Sequence, residues 1–232
     1  MKTWISSLLR IATCAVAGLT FTAGAALAAD MPSNLICQKV TKQAWMVCAT
    51  SARLPLAGKK PRDPRIFFHP RYVADGDPKT AWAPGQRGQN LGNTIELHFR
   101  GTREFRHISL WNGYGKSPET WVITGRLREI LIQTSDGLTD RARLIERNGE
   151  QVVVLSRPVK ATWVRIIALA VRNGEIHRTF AISELRPSDG SRQPGVPLVT
   201  ASRVDDWLPN SGDGKTPKNG DSPKSHSSST SH

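Results

Sequence analysis

The sequence predicts an all-β domain, an antiparallel sandwich of jelly-roll type, and three observations carry that expectation. From Thr94 onward apolar and polar residues alternate over short runs, the period of a half-buried strand. Each run is rich in β-branched residues and bounded by Gly, Pro, Asn or Asp, as strands are. No long segment carries a helical apolar stripe.

The elements follow in order. In "TIELHF", Ile95, Leu97 and Phe99 point one way and Glu96 and His98 the other. The turn-like "RGTREF" closes that strand, and "HISLW" opens the next with Ile108 and Leu110 on one face. "REILIQTSDG" follows; there Gly137 supplies positive φ and the Asp136 side chain bonds the backbone, the chemistry of a tight turn. "QVVVLS", "TWVRIIALAV" and "AISELR" complete the set. The second of these is apolar on both faces and belongs in the middle of a sheet. Six or more such strands joined by loops of unequal length favour a sandwich over a parallel α/β sheet.

Both ends differ from this core. Residues 1–29 carry Lys2 and Arg10, a long apolar run and the terminal Ala26-Leu27-Ala28, which reads as a secretory signal peptide. A membrane anchor is the competing reading of the run, but its Ala, Gly and Thr content and processing site favour cleavage. Residues 30–63 form a basic, proline-bearing approach. Cys37 and Cys48 lie in it, the pair that remains once Cys14 leaves with the signal. In an oxidising compartment such a pair forms a disulfide, contributing roughly 3 kcal/mol by chain entropy. Residues 64–187 make the domain. Residues 188–232 contain ten Ser, five Gly and five Pro, a composition that cannot offset its ordering entropy and is read as a disordered tail.

The chain has 32 basic and 19 acidic residues; loss of Lys2 and Arg10 with the signal leaves a net charge of +11. Outside the cytoplasm this favours an acidic surface: an envelope polymer, an acidic glycan or a lipid headgroup. A specific nucleic-acid partner is not expected, since no helix-turn-helix, zinc finger or aromatic RNA-binding signature is present.

Two stretches imitate catalytic motifs. "DGDPKT" at 75–80 resembles an aspartate loop of phosphoryl-transfer hydrolases, but Lys79 stands where Thr or Val is needed and no buried strand precedes it. "GYGKS" at 113–117 ends like a phosphate-binding loop, yet its first glycine would fall at Leu110, inside a strand. There is no nucleophile elbow, zinc-ligand spacing or Gly-rich dinucleotide loop. No enzyme and no redox or nucleotide cofactor is expected. His69, His98, His107 and His177 form no ligand pattern by spacing.

Taken in sequence, "YVADGDPKTAWAPG", "LGNTIELHF", "ISLWNGYGKS", "GRLREILIQTSDG" and "FAISELR" resemble the discoidin, or F5/8 type C, domains, in particular the bacterial NAD glycohydrolase translocation branch. The resemblance implies a galactose-binding-like β-sandwich used for carbohydrate or surface attachment, with any NAD-cleaving activity residing in a separate domain. It also implies a structural Ca²⁺ held by Asp75 or Asp77, Thr80 and Glu184, oxygen ligands of the kind a hard cation takes. The competing reading is an Asx-type turn without an ion, Glu184 being paired to an Arg. Trp82 should then cover one end of the sandwich.

For sugar recognition, an aromatic face and polar groups are needed together. Tyr114 is the expected platform, with Asn112, Lys116 and Arg126 as polar contacts and Trp121 closing the next stretch, while Trp111 is expected in the core. The function predicted is an exported, non-catalytic module binding a glycan or anionic envelope polymer, periplasmic or secreted. A protein-interaction scaffold on the same sandwich is the alternative.

Overall fold

The structure, a computed structural model, describes residues 35–40, 44, 46–53, 68–191 and 193–204. The expected signal peptide at 1–29 and the part of the expected tail from 205 to 232 lie outside the described residues.

The strands are β1 (Ile36–Lys39), β2 (Met46–Ala49), β3 (Thr94–Asn112), β4 (Arg126–Thr134), β5 (Thr139–Arg143), β6 (Glu150–Arg172), β7 (Ile182–Ser188), β8 (Leu198–Thr200) and β9 (Ser202–Arg203). All pair antiparallel except β8, which runs parallel to β6. The two long strands build both leaves of the sandwich. The first half of β3 pairs with the second half of β6, Ile95 opposite Ile166 and Leu97 opposite Val164. This leaf continues through β2 to β1 on one side and through β4 and β5 to β9 on the other. The second half of β3 pairs with the first half of β6, Ile108 opposite Val153, and with β7, Leu110 opposite Leu185.

The expected turn at "RGTREF" is therefore corrected. The segment is a bent strand with register shifts between His98 and Arg103 and between Phe105 and His107. Such irregularities bend and twist a strand without ending it. "QVVVLS" and "TWVRIIALAV" are likewise one strand, β6. Side chains of both halves still meet in one core, where Ile95, Leu97, Ile108, Leu110, Ile130, Ile132, Val153, Val164, Ile166 and Leu185 are buried. Trp82 is buried as expected. Its ring meets Phe180 edge-on at 5.6 Å, its indole N–H donates to the Ser51 carbonyl at 2.8 Å, and its backbone exchanges two bonds with Ile182.

The domain boundaries also widen. At the N-terminal end β1 and β2 extend the first leaf, with Cys37 directly opposite Cys48 and the two joined by a disulfide. At the C-terminal end β8 and β9 lie inside the segment read as tail, and Val199 and Ala201 are buried in the main core. A few apolar residues spaced among Ser and Pro sufficed to dock them. Strand β5, "TDRAR", was also not anticipated; its Ala142 enters the core while Arg141 bonds Glu129 at 2.7 Å. The Asp136–Gly137 turn forms as expected, with Gly137 at φ 84° and Asp136 accepting from Leu138 and from the Lys160 backbone.

One short helix, α1 (Pro118–Ile123), escaped the strand reading. Its signal is local. Ser117 caps it and Thr120 bonds back to the Ser117 backbone, a reciprocal capping box with Pro118 at the first turn. On the outer face of the first leaf, the His98 ring bonds the buried Glu96 at 3.0 Å. Burial alone would raise the Glu96 pKa, but bonds from His98 and Arg165, the latter at 2.6 Å, bring it below the usual value.

Candidate functional site

The site lies at the end of the sandwich where β3 finishes, α1 sits, and the loop after β6 folds back. Residues 173–179 are pinned to α1 by backbone bonds: Glu175 to the Val122 carbonyl, Ile176 and His177 to that of Ile123. Gly125 donates to Thr179. Gly174 is required here, since a Cβ would stand 2.3 Å from the Ile123 carbonyl oxygen. Between these walls and the Arg53–Phe68 bridge opens a cleft of about 320 Å³. Arg53, Phe68, Tyr114, Ile123, His177 and Thr179 line it, together with Ala83, Thr120 and Thr124.

Of the residues predicted to bind sugar, Tyr114 alone lines the cleft. It is only 6% exposed and meets Phe68 edge-to-face at 5.4 Å. Tyr114 is thus the floor rather than a free stacking platform, and the half-buried Phe68 offers the more open aromatic surface. Asn112 is corrected to a structural role. Its amide donates to the Leu127 carbonyl at 2.7 Å and its carbonyl oxygen accepts from the Leu127 N–H at 2.9 Å, so both ends of the side chain are spent joining β3 to β4. Trp121 donates to the Asn112 carbonyl at 2.9 Å. Arg126 is buried and donates to the carbonyls of Trp121, Val122 and Thr124, which α1 leaves unpaired at its C-terminal end. Lys116 is half-buried on the loop before α1 and does not line the cleft.

The cleft residues that the sequence did not suggest are Arg53, Phe68 and His177. They come from segments far apart in the chain, and only the fold brings them together. No local pattern marks them.

The predicted cation ligands divide in two. The carboxylate of Asp77 accepts from the Lys79 N–H at 2.9 Å and closes its own turn, as an Asx-type turn does. Asp75 accepts from the Asp77 N–H and from the Thr80 hydroxyl. Glu184 is different. It is buried, neither carboxylate oxygen has a hydrogen-bond partner within the geometry of a normal bond, and it sits beside Asp75. Burial first, then the Asp75 charge, pushes its pKa up to about 8. The expected pairing of Glu184 with an Arg does not form among the described residues. Among the described residues no cluster of three or more His, Cys, Asp or Glu is arranged around a metal position. The orphaned Glu184 oxygens beside the Asp75 carboxylate nevertheless suit a hard cation, which takes roughly six to eight oxygens and completes its shell with carbonyls and water.

An antiparallel sandwich whose two longest strands bend from one leaf to the other, with a cleft among the loops at one end, is the architecture of the discoidin class. The chain belongs to the family described as "NAD glycohydrolase translocation F5/8 type C domain", whose model matches residues 45–187. Among solved structures it is similar to a pectin-binding carbohydrate-binding module at 16% identity and TM-score 0.46, covering 69% of this chain and 99% of that one. It is also similar to the family 32 module of C. perfringens NanJ in complex with galactose, at 17% identity and TM-score 0.44, covering 60% and 89%. A third likeness is to the arabinofuranosyltransferase AftD from Mycobacteria, at 19% identity and TM-score 0.47, covering 65% of this chain but 11% of that one. No curated protein sequence matches.

Proposed function

We propose that the chain is an exported, non-catalytic carbohydrate-binding module whose saccharide site is the cleft between α1, the 173–179 loop and Phe68. The observation that carries this reading is the Phe68–Tyr114 pair in that cleft, an apolar aromatic wall beside donor side chains from Arg53 and His177. Sugar rings are held in this way, by their C–H face on an aromatic surface and their polar groups on a few fixed side chains. Binding without turnover fits the lining, because glycoside hydrolysis commonly needs two facing carboxyl groups, and no carboxylate is among the cleft's described lining residues. The Cys37–Cys48 disulfide supports an oxidising compartment, and with the apolar leader supports export to the periplasm or beyond.

The same reading includes a structural Ca²⁺ at Asp75 and Glu184. It would neutralise the buried Glu184 and the half-buried Asp75 and tie the 75–80 turn to β7, on the side of the sandwich that carries the Tyr114 loop. Asp77 is left out, since its carboxylate is committed to Lys79.

The test is a glycan array followed by titration calorimetry with the full exported chain and its Phe68→Ala variant. Selective binding that survives high salt and is lost on Phe68→Ala supports the cleft. Broad binding that washes away with salt, unchanged by the substitution, would reduce the interaction to net charge and turn attention to a protein partner.

A further inference from the structure

Arg53 is the charged side chain among the cleft's described lining residues. It is exposed at the wall, with its guanidinium 5.9 Å from the Phe68 ring centre, and the His177 imidazole stands on the loop that α1 pins in place. No carboxylate lines the cleft among the described residues. Glu119 on α1 and Glu175 on the loop are both exposed and outside the lining. Two of the lining hydroxyls are already engaged: Thr120 donates to the Ser117 carbonyl, and Thr179 donates to Gly88 while accepting from Asn90.

A neutral sugar presents hydroxyls that donate as well as accept, and sites for it supply carboxylate or amide acceptors. This cleft supplies none from a charged side chain. Guanidinium groups donate only, through a planar fork that matches a carboxylate in two parallel bonds. Resting on the saccharide reading above, we infer that the cleft takes an acidic sugar, a hexuronic acid residue whose ring lies on Phe68 and whose carboxylate meets Arg53 and His177. The net positive charge of the chain speeds the encounter with such a polyanion. Arg53 is a specificity-determining contact; the ring contact is aromatic.

The experiment is calorimetric titration of the full chain with trigalacturonic acid, trimannuronic acid, the methyl ester of the first, and neutral galactotriose. Esterification keeps the ring and removes the charge. The expected result is binding of at least one uronate. Ester formation weakens it by roughly five- to tenfold at low salt, the range of an exposed charge-assisted bond. Arg53→Gln produces the same loss for the acid and none for the ester. Since Arg53 is exposed, its substitution should leave the unfolding midpoint unchanged. Equal affinity for acid and ester, or equal losses on Arg53→Gln, overturns the acidic preference and leaves the saccharide site standing. Uronate binding that persists in Phe68→Ala and disappears between about 0.05 M and about 0.5 M salt also overturns it, as attraction to the basic surface at large. If neither acidic nor neutral saccharides bind, the carbohydrate reading itself fails.

Discussion

Arg126 holds Trp121 twice: its guanidinium lies 4.3 Å from the indole ring centre, and its Nη1 donates to the Trp121 carbonyl at 3.0 Å. The same nitrogen reaches the Thr124 carbonyl at 2.8 Å, while Nη2 bonds Glu146 at 2.9 Å. One side chain thus caps α1 and fastens it to β4, and α1 is a wall of the cleft. Arg126→Ala is expected to lower stability by roughly 2–4 kcal/mol, since buried carbonyls lose their donors and a desolvated cation–π contact goes with them. Urea unfolding measures this. A direct sugar contact would behave otherwise, losing affinity at an unchanged unfolding midpoint.

The backbone approach at Gly174 and Gly125 gives a second expectation. A Cβ at Gly174 would sit 2.3 Å from the Ile123 carbonyl oxygen, and one at Gly125 2.7 Å from that of Thr179. Both obstacles are backbone, so neither can swing aside. Gly174→Ala should therefore push the loop off α1, weaken ligand binding by tenfold or more (about 1.4 kcal/mol), and raise amide exchange at Glu175, Ile176 and His177 before the rest of the sandwich is affected. Unchanged exchange at those three amides would show that the loop holds without this contact.

The Glu184 site makes stability depend on pH in an unusual direction. With its folded pKa near 8 against an ordinary 4.5, the folded protein keeps a proton that the unfolded chain has already released. Stability in the presence of a chelator should therefore fall as pH rises from about 4.5 to about 8, the reverse of the usual carboxylate behaviour. Glu184→Gln should flatten that fall by leaving no charge to bury. Added Ca²⁺ should raise Tm most at the upper end of the window, where the carboxylate is free to bind it, and should do nothing for Glu184→Gln. Thermal unfolding at several pH values with EDTA or Ca²⁺ distinguishes these outcomes; a flat profile in EDTA, or a Tm indifferent to Ca²⁺, removes the ion from the account.

The strand content was readable because alternation is a local signal. Ile95, Leu97, Ile108 and Leu110 announce their face with no knowledge of the partner. Whether "RGTREF" turns or bends was not readable, since a bulged strand and a loop can share the same Gly, Thr and Arg, and only pairing with β6 decides. β8 was hidden for a related reason: Val199 is buried by contact with a distant strand, while its neighbours have the composition of a tail. The site shows the same division. Trp82 is buried where its motif puts it, whereas Asn112 of the "WNGYGKS" loop and Arg126 beyond it look alike in sequence whether they face a ligand or a backbone. Arg53, Phe68 and His177 carry no motif at all.

The two cleft aromatics should separate binding from folding. Tyr114 is 6% exposed and packs with Ala81, Ala83 and Ala181, so Tyr114→Ala removes a buried ring and should cost roughly 3–5 kcal/mol of stability. Phe68 is only half-buried and packs against that cluster from outside. Phe68→Ala should cost less than half as much, with the lost edge-to-face contact contributing about 1 kcal/mol. For ligand affinity the order reverses in mechanism: Phe68→Ala removes the surface on which a ring would rest, whereas Tyr114→Phe keeps the floor and should bind nearly as well as the parent. Equilibrium unfolding and calorimetric titration on the three variants give both quantities. If Phe68→Ala binds saccharide normally while Tyr114→Phe does not, the phenol hydroxyl rather than the Phe68 ring makes the decisive contact, and the sugar enters the cleft deeper than the exposures of these two rings imply.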